Sequence, residues 1–468
     1  MESKATERVI INRSPSSLRD PAGFIFSLEE NLYRTVNHNY KTNFDLLLSS
    51  GLYDHLVSQE LLIEHDQVSN QFISSELDAY QILKLKKLPF ISYPTEWCFS
   101  QLKAAALFTL EFQKVALNYG MTLKDASAFN VQYRGTKPVF IDILSLEKYE
   151  DGSPWVAYEQ FCRHFLAPLV LMSYRDERLA QLLRVYIDGI PLDLTSELLP
   201  IRSYFNLSVL TNIILQAKAQ QWFSKVTMQS PPVIKKDALM ALINNLQNLI
   251  HGLKMQKKDS TWKNYYQDAC IYTSQGMISK HQIVETLLDK AGPRIVWDLG
   301  SNDGKFSRIA STKNIYTVSM DSDHNSVESN YLNAFKDNDL HLLPLLMDII
   351  NPSPAQGWSS CETKSLINRG PVDTMLALAL IHHLVITHSL SLFSIATSFA
   401  SMCNTLVIEF VPEDDPQVLY LLSSKPVPFF KELYSREIFE RELKKYFVLR
   451  DQIKIDDSGR IIYFAQKL

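Results

Sequence analysis

The residues from Ile295 to Ser307, IVWDLGSNDGKFS, form the pattern with the clearest chemical meaning in this chain. Their apolar start predicts a short buried strand that ends at Asp298, and Gly300 and Gly304 fall in the turn that opens the next helix. Glycine lets backbone approach a ligand closely, and a neighbouring acid can accept hydrogen bonds from that ligand. Because the 468 residues include only 14 glycines, fewer than the usual share, this turn predicts a ligand site.

The spacing of this turn separates two kinds of nucleotide-binding fold. A dinucleotide-binding fold has Gly-x-Gly-x-x-Gly in this place, whereas this chain has Asp-x-Gly-x-Asn-x-Gly. The pattern resembles motif I of class I S-adenosylmethionine-dependent methyltransferases, with Asn302 where a glycine is more usual. Asparagine is a mild replacement because it tolerates left-handed backbone better than most residues. A strand-turn-helix of another α/β fold is the alternative.

Six further strand patterns follow this turn. They are Ile315–Met320, Leu342–Met347, Val372–Leu380, Asn404–Phe410, Tyr446–Arg450 and Arg460–Ala465. Their order, with two closely spaced strands at the end, matches the sheet of the methyltransferase fold and its closing antiparallel hairpin. We therefore predict an α/β domain over residues 259–468 with a Rossmann-like seven-stranded methyltransferase sheet.

Acids end the first three predicted strands. An acid at the end of the second strand, Asp321, is well placed to accept both hydroxyls of a ribose, while Asp323 lies two residues further on. The resemblance implies that Asp348, after the third strand, meets an adenine amino group. It also implies S-adenosylmethionine as the cofactor, held by Asp298, Gly300, Asn302, Gly304, Asp321, Asp348 and Ala377.

Candidate catalytic residues follow the fourth and fifth strands, because ligands of this fold bind at the carboxyl ends of the strands. They are His382, His383 and Glu409. A sulfonium methyl is already activated, so the protein must mainly align the acceptor and exclude water. A histidine can serve as the base near neutral pH; the alternative is that it only packs. The acids at 413–415 predict a solvated loop rather than a metal site, and no metal is expected.

The N-terminal half contains a second pattern, LKDASAFNVQYRGTKPVFIDILS, at positions 123–145. Asp125 and Asn130 have the spacing of a kinase catalytic loop, in which the acid accepts a proton and the amide holds a metal. A predicted hairpin follows, and Asp142 falls where kinases place the second metal ligand. The segment resembles the kinase-like fold, especially its small-molecule phosphotransferases.

The N-terminal half also departs from that fold. Lys124 precedes the acid, no glycine-rich phosphate loop is visible, and Arg34 and Glu60 are only candidates for the usual lysine–glutamate pair. An active kinase, a degenerate kinase-like domain that binds substrate or partner, and an unrelated α/β domain all remain open. We adopt the degenerate form, an α+β kinase-like accessory domain, for residues 1–190.

The connection between the halves is predicted to be a helical extension over residues 191–258. It contains a Pro-Pro pair at 231–232 and an amphipathic helix at 235–255. The aromatic residues Trp262, Tyr265, Tyr266 and Tyr272 are candidates to line the methionine end of the cofactor. Their alternative role is to anchor a helix to the sheet.

Composition limits the class of partner. The net charge is −4 and no basic stripe stands out, which argues against a nucleic-acid substrate. No apolar run approaches the roughly 18 residues of a membrane span, no secretory signal is visible, and the five scattered cysteines suit a reducing compartment. We expect a cytoplasmic protein.

Together the two halves resemble a bacterial group of class I methyltransferases that includes rhizobial nodulation proteins. The resemblance implies a methyltransferase that acts on a small molecule or a glycan precursor. A kinase–methyltransferase fusion and a catalytically silent cofactor-binding regulator are the alternatives. The sequence does not indicate the oligomeric state.

Overall fold

The computed structural model describes residues 11–68, 77–218, 233–256, 272–423 and 433–468, so Trp262, Tyr265 and Tyr266 lie outside the described residues. The strands are β1 (Asn12–Arg13), β2 (Ile25–Leu28), β3 (Asn31–Val36), β4 (His65–Val68), β5 (Gln81–Leu85), β6 (Met121–Leu123), β7 (Val131–Arg134), β8 (Lys137–Phe140), β9 (Leu146–Lys148), β10 (Ile295–Leu299), β11 (Tyr316–Asp321), β12 (Leu342–Leu346), β13 (Val372–Ala377), β14 (Cys403–Phe410), β15 (Phe447–Lys454) and β16 (Ile461–Lys467). The described α-helices are α1 (Lys41–Ser49), α2 (Leu52–Ser58), α3 (Phe99–Asn118), α4 (Tyr158–Phe161), α5 (Ala167–Tyr174), α6 (Leu192–Leu198), α7 (Leu207–Val209), α8 (Lys236–Gly252), α9 (Ser274–Ala291), α10 (Ser307–Ser311), α11 (His324–Lys336), α12 (Leu392–Met402), α13 (Pro416–Ser423) and α14 (Arg436–Leu443). Across these ranges, no helix combines the length and hydrophobicity that a bilayer span requires.

A seven-stranded sheet organises the C-terminal half, in the order β12-β11-β10-β13-β14-β16-β15. Strands β10 to β14 pair in parallel, and β16 runs antiparallel to both of its neighbours. The order reverses at β10, which has β11 on one side and β13 on the other. Such a switch point is where open α/β sheets bind ligands. The predicted parallel-dominated sheet, consistent with a Rossmann-like methyltransferase, is confirmed.

Both faces of this sheet are buried, as the near-continuous apolar strands require. Trp297 joins the larger core on one face, while Val296 joins a second core on the other face with residues of α9 and α10. Strand β13 ends at Ala377, three residues earlier than predicted. It ends there because Ala379 adopts a left-handed conformation, with φ 51°, which turns the chain away from the sheet.

The N-terminal half is built on a five-stranded antiparallel sheet in the order β1-β2-β3-β5-β4. The hairpin of β7 and β8 lies where the sequence predicts it, and this half also contains the hairpin of β2 and β3 and the long helix α3. Residues 41–58 form two helices rather than one. Gly51, with φ 78°, separates α1 from α2, because left-handed backbone interrupts a helix.

The two halves share one continuous buried cluster. From α3, the Gln101 Nε2 amide donates to the Pro344 carbonyl at 2.8 Å, which covers the edge strand β12. The Phe90 ring stands edge-on to Trp297 of β10, with centroids 5.7 Å apart. The N-terminal half therefore supplies part of the cover of the C-terminal sheet. The boundaries at residues 190 and 258 stay predictions.

A buried ion pair also joins the halves. Arg369, between β12 and β13, donates to both carboxylate oxygens of Glu96 at 2.6 and 2.9 Å. The side chains are 4% and 0% exposed, so neither charge has water as an alternative partner. Removing one partner would leave the other as an uncompensated buried charge.

Candidate functional site

Three left-handed residues shape the turn after β10. Gly300, Asn302 and Gly304 have φ values of 69°, 52° and 77°, which explains why asparagine is tolerated at the middle position. The two glycines meet different surroundings. A Cβ on Gly304 would lie 2.3 Å from the Asn330 Oδ1 atom, whereas a Cβ on Gly300 would meet the Leu380 Cδ1 atom at 3.1 Å. The turn therefore needs glycine at 304 for space as well as for conformation.

Asp321 ties this turn to the end of β11. Its Oδ2 accepts from the Asn302 backbone N–H at 2.8 Å, and its Oδ1 accepts from the Asp323 N–H at 2.9 Å. Burial raises the pKa of Asp321 to about 6, although these backbone hydrogen bonds favour the ionised form. Asp323 has another task, since it caps α11 by accepting from the Ser326 N–H at 2.8 Å.

Asp298 lies beneath the turn, 2% exposed. Its Oδ2 accepts from the Ser307 hydroxyl at 2.6 Å, and that hydroxyl lies 2.9 Å from the Ser319 Oγ on β11. The Asn330 Nδ2 also donates to Ser319, at 2.8 Å. Burial raises the pKa of Asp298 to about 7, while Ser307 and Lys280 act to lower it. The acid is thus held rigidly and carries a desolvation cost when ionised.

The third strand-end acid lies in a different environment. Asp348 follows β12, is exposed, and accepts from the Ile350 N–H at 2.9 Å. Asp298, Asp321 and Asp348 therefore stand at the carboxyl ends of three adjacent strands, as the topology requires. Ala377 ends β13 and is fully buried.

A buried ion cluster lies at the same edge of the sheet. We define it as Tyr272, Lys280, Glu409, Asp415 and Arg460. The Lys280 Nζ lies 2.7 Å from the Glu409 Oε2, and Arg460 lies 3.5 Å from Glu409 and 2.8 Å from Asp415. The Tyr272 hydroxyl donates to the Glu409 Oε1 at 2.5 Å. Both Lys280 and Arg460 are at most 1% exposed.

The cluster changes the interpretation of two acids, Asp415 and Glu409. The solvated loop predicted at 413–415 is wrong for Asp415, which is buried because it pairs with Arg460. Burial acts to raise the pKa of Glu409, but Lys280 and Arg460 hold it below its usual value. Glu409, predicted as a catalytic residue, is thus an ionised carboxylate already engaged on both oxygens.

Sequence reasoning missed Lys280, although one signal could have found it. The lysine occupies the apolar stripe of α9 formed with Ile283, Val284 and Leu287, all of which are buried. A charged residue in such a stripe needs a buried partner. Its Nζ also lies 4.5 Å from the centroid of the Phe306 ring, at the end of the turn.

The two histidines follow β13 on a short segment. Their ring centroids are 4.2 Å apart; His382 is fully buried, whereas His383 is partly exposed. Burial lowers the pKa of His383 to about 4, and burial, His383 and Arg460 lower that of His382 well below its usual value. Both rings are therefore neutral at pH 7, and His383 is the accessible one.

The predicted cleft residues of the N-terminal half lie together. The Asn130 Nδ2 donates to the Ser145 Oγ at 3.1 Å, and that hydroxyl donates to the Asp142 Oδ2 at 2.7 Å. The same Nδ2 lies 3.5 Å from the Asp125 carbonyl oxygen. Within the described ranges, no three His, Cys, Asp or Glu side chains are grouped so that they could hold a metal ion.

Comparison with known proteins gives one match over nearly the whole length. No protein-family profile matches the chain. The nodulation protein NoeA of Rhizobium meliloti (strain 1021) is 32% identical over 465 residues, which cover 97% of this chain and 96% of that protein.

Three solved structures that resemble the chain each match less than half of it. The bifunctional kinase-methyltransferase WbdD matches at 16% identity with a TM-score of 0.31, over 47% of this chain and 45% of that one. The magnesium protoporphyrin IX methyltransferase ChlM of Synechocystis PCC 6803 with bound SAH matches at 14% identity and a TM-score of 0.32, over 44% and 93%. The N-methyltransferase NodS of Bradyrhizobium japonicum WM9 matches at 9% identity and 0.31, over 42% and 97%.

Proposed function

Since this chain belongs to the family of the nodulation protein NoeA, we propose that it is an S-adenosylmethionine-dependent methyltransferase acting on a small molecule or a glycan precursor. The predicted resemblance to rhizobial nodulation proteins is confirmed by that relative. The observation that carries the proposal is the left-handed turn from Gly300 to Gly304, tied by the Asn302 N–H to Asp321 at the switch point of the sheet.

The residues at this turn fit the proposed cofactor. Asp321 stands where a carboxylate can accept both ribose hydroxyls, and Asp348 lies one strand further out, on the adenine side. Gly300 lets backbone meet the methionine end without an intervening side chain. Asp298 is a buried acid that positive charge would stabilise, and S-adenosylmethionine carries a positive ammonium and sulfonium.

On the acceptor side, we assign His383 as the base and Glu409 as a positioning residue. S-adenosylmethionine supplies a methyl group that is already activated, so the chain must orient the acceptor and remove its proton. His383 is neutral and partly exposed, so one of its ring nitrogens can accept that proton. Glu409 is engaged by Lys280 and Tyr272, so it holds the cluster in place. His382, fully buried behind its neighbour, packs.

Calorimetric titration of the full chain with S-adenosylmethionine tests the cofactor site. Asp298→Ala and Gly300→Val should each abolish binding: the first removes the buried acceptor, and the second puts a branched side chain at φ 69° against Leu380. Asp337→Ala, at the exposed end of α11, is the matched control. Thermal unfolding shows whether each variant is folded. Unchanged cofactor affinity in both site variants would falsify the assignment.

An assay of methyl transfer is the second test, because a catalytically silent regulator would also bind the cofactor. Incubation with methyl-labelled S-adenosylmethionine and fractionated small molecules or glycan precursors should yield a labelled product. Glu409→Gln should reduce that rate and lower the melting temperature, since the amide keeps the shape of the carboxylate but takes its charge away from the buried Lys280 and Arg460. Cofactor binding without any labelled product would favour the regulator.

A further inference from the structure

The N-terminal cleft contains a buried arginine held between two acids. Arg34 lies on β3, the central strand of the five-stranded sheet, and its side chain is 7% exposed. Its Nη2 contacts the Asp142 Oδ1 at 3.0 Å and also donates to the Asp20 Oδ2. This contact joins three separate segments: the loop between β1 and β2, the strand β3, and the chain after β8.

Asp20 comes from the loop that would have to bind phosphate in a kinase-like domain. In kinases this loop is rich in glycine and covers the phosphates, while a lysine on the third strand contacts them. Here the loop instead places the carboxylate of Asp20 against Arg34, the cationic residue of β3. The Asp20 Oδ1 accepts from the Ala22 N–H at 2.8 Å, so the loop is folded around this acid and its second oxygen is committed to Arg34.

Asp142, the expected metal ligand, has three contacts from within the chain, the first being that from Arg34 to its Oδ1. Its Oδ1 also accepts from the Leu144 N–H at 3.0 Å, and its Oδ2 accepts from the Ser145 hydroxyl at 2.7 Å. Ser145 in turn accepts from Asn130, the other expected ligand. A metal ion at this place would compete with a guanidinium for the same carboxylate.

Arg34 retains capacity for a further acceptor. Its Nε is buried and has no hydrogen-bond partner among the described residues. A guanidinium has five donors in a fork that suits phosphate as well as carboxylate. Residue 34 is therefore an anion-binding position, and the carboxylates of Asp20 and Asp142 occupy it.

We propose that Asp20 acts as an internal anion on Arg34, so that the N-terminal cleft is closed to metal-bound nucleotide and opens to polyphosphate when this carboxylate is removed. Magnesium nucleotide, which the kinase resemblance implies, does not fit the residues as they are arranged. The inference concerns the N-terminal residues alone and holds whether or not the C-terminal half transfers methyl groups.

Calorimetric titration of the full chain with magnesium ATP and with inorganic triphosphate tests this proposal. The unmodified protein should bind neither ligand. Asp20→Asn should bind triphosphate with an affinity at least about tenfold above the detection limit reached with the unmodified protein, because it removes the charge and keeps an oxygen for the Ala22 N–H. Adding Arg34→Met to that variant should abolish the gain. Asp45→Asn, which removes a surface acid 2.9 Å from Lys41, should change nothing.

Two results would overturn the proposal. One is magnesium ATP binding by the unmodified protein. The other is a folded Asp20→Asn variant, with an unchanged melting temperature, that binds neither ligand. Asp20→Ala supplies a second test of the same loop, and melting curves show whether each variant retains its structure.

Discussion

Asp321→Asn is the most informative single change in the proposed cofactor site. In the unmodified protein the two carboxylate oxygens each accept one backbone N–H, from Asn302 at 2.8 Å and from Asp323 at 2.9 Å. An asparagine has one oxygen, so one of these N–H groups must face an amide NH2. The ribose hydroxyls would also lose a charged acceptor. We expect cofactor binding to weaken by roughly 1–3 kcal/mol, which is about 5- to 150-fold in Kd.

The pH dependence of binding gives the same prediction a second measurement. Burial raises the pKa of Asp321 to about 6, and the ionised form is the one that accepts both hydroxyls. Affinity should therefore fall as pH drops through about 6, by up to about tenfold per pH unit. Because the folded pKa lies above the unfolded value, ionising this acid lowers the stability of the free protein as pH rises from about 4 to 6. Asp321→Asn should remove this contribution of Asp321 from the pH dependence of cofactor affinity and from the pH dependence of stability.

Asp323→Asn is the matched control for this prediction. Asp323 caps α11 through the Ser326 N–H, and asparagine caps a helix about as well as aspartate. The change should leave the Kd for S-adenosylmethionine nearly unchanged in calorimetric titrations. If Asp323→Asn weakened the cofactor more than Asp321→Asn, the assignment of the ribose-binding acid would be refuted.

Three further changes test the turn, the contact between the halves and the proposed base. Gly304→Ala should lower the stability by at least about 1 kcal/mol, because alanine is strained in left-handed backbone. It should also lower the cofactor affinity, because its Cβ would lie 2.3 Å from the Asn330 Oδ1. An unaltered urea midpoint and Kd would contradict this prediction. Glu96→Gln should lower the free energy of unfolding by about 3–5 kcal/mol, since Arg369 stays buried without its charged partner. A loss below about 1 kcal/mol in urea denaturation would show that this ion pair does not stabilise the contact between the halves. His383→Gln should reduce the methyl-transfer rate by about 10²- to 10⁴-fold at unchanged cofactor Kd. Because burial lowers the pKa of His383 to about 4, this ring should add no pH dependence to the rate between pH 6 and 8. An unchanged rate in the variant would exclude His383 as the base.

Local pattern was enough to locate the strands of the C-terminal sheet and the glycine turn after β10. Apolar runs ended by acids specify buried parallel strands, and glycine at left-handed positions specifies the turn, because both depend on neighbours in sequence. For this reason the turn at residues 298–304 and the strand ends at Asp321 and Asp348 could be located without the structure. The same is true of the hairpin between Asn130 and Asp142.

Local pattern misled where a distant partner changed the environment of a charge. The acidic run before the proline predicts a solvated loop at Asp415, yet this side chain is buried and pairs with Arg460. Glu409, whose catalytic role stays a prediction, has partners that its own neighbours in sequence do not reveal, because Lys280 and Tyr272 engage it.

By itself, then, the sequence determined the kind of sheet, the position of the glycine turn after β10 and the family to which the chain belongs. Only the tertiary structure decided which charges meet. Tyr272 and Arg460 are 188 positions apart in the chain, yet they share a hydrogen bond of 2.6 Å, and Arg34 reaches Asp20 and Asp142 from a different strand. A charged side chain can be buried only where the fold supplies its counter-ion, and that pairing depends on packing between distant segments, which sequence periodicity does not encode.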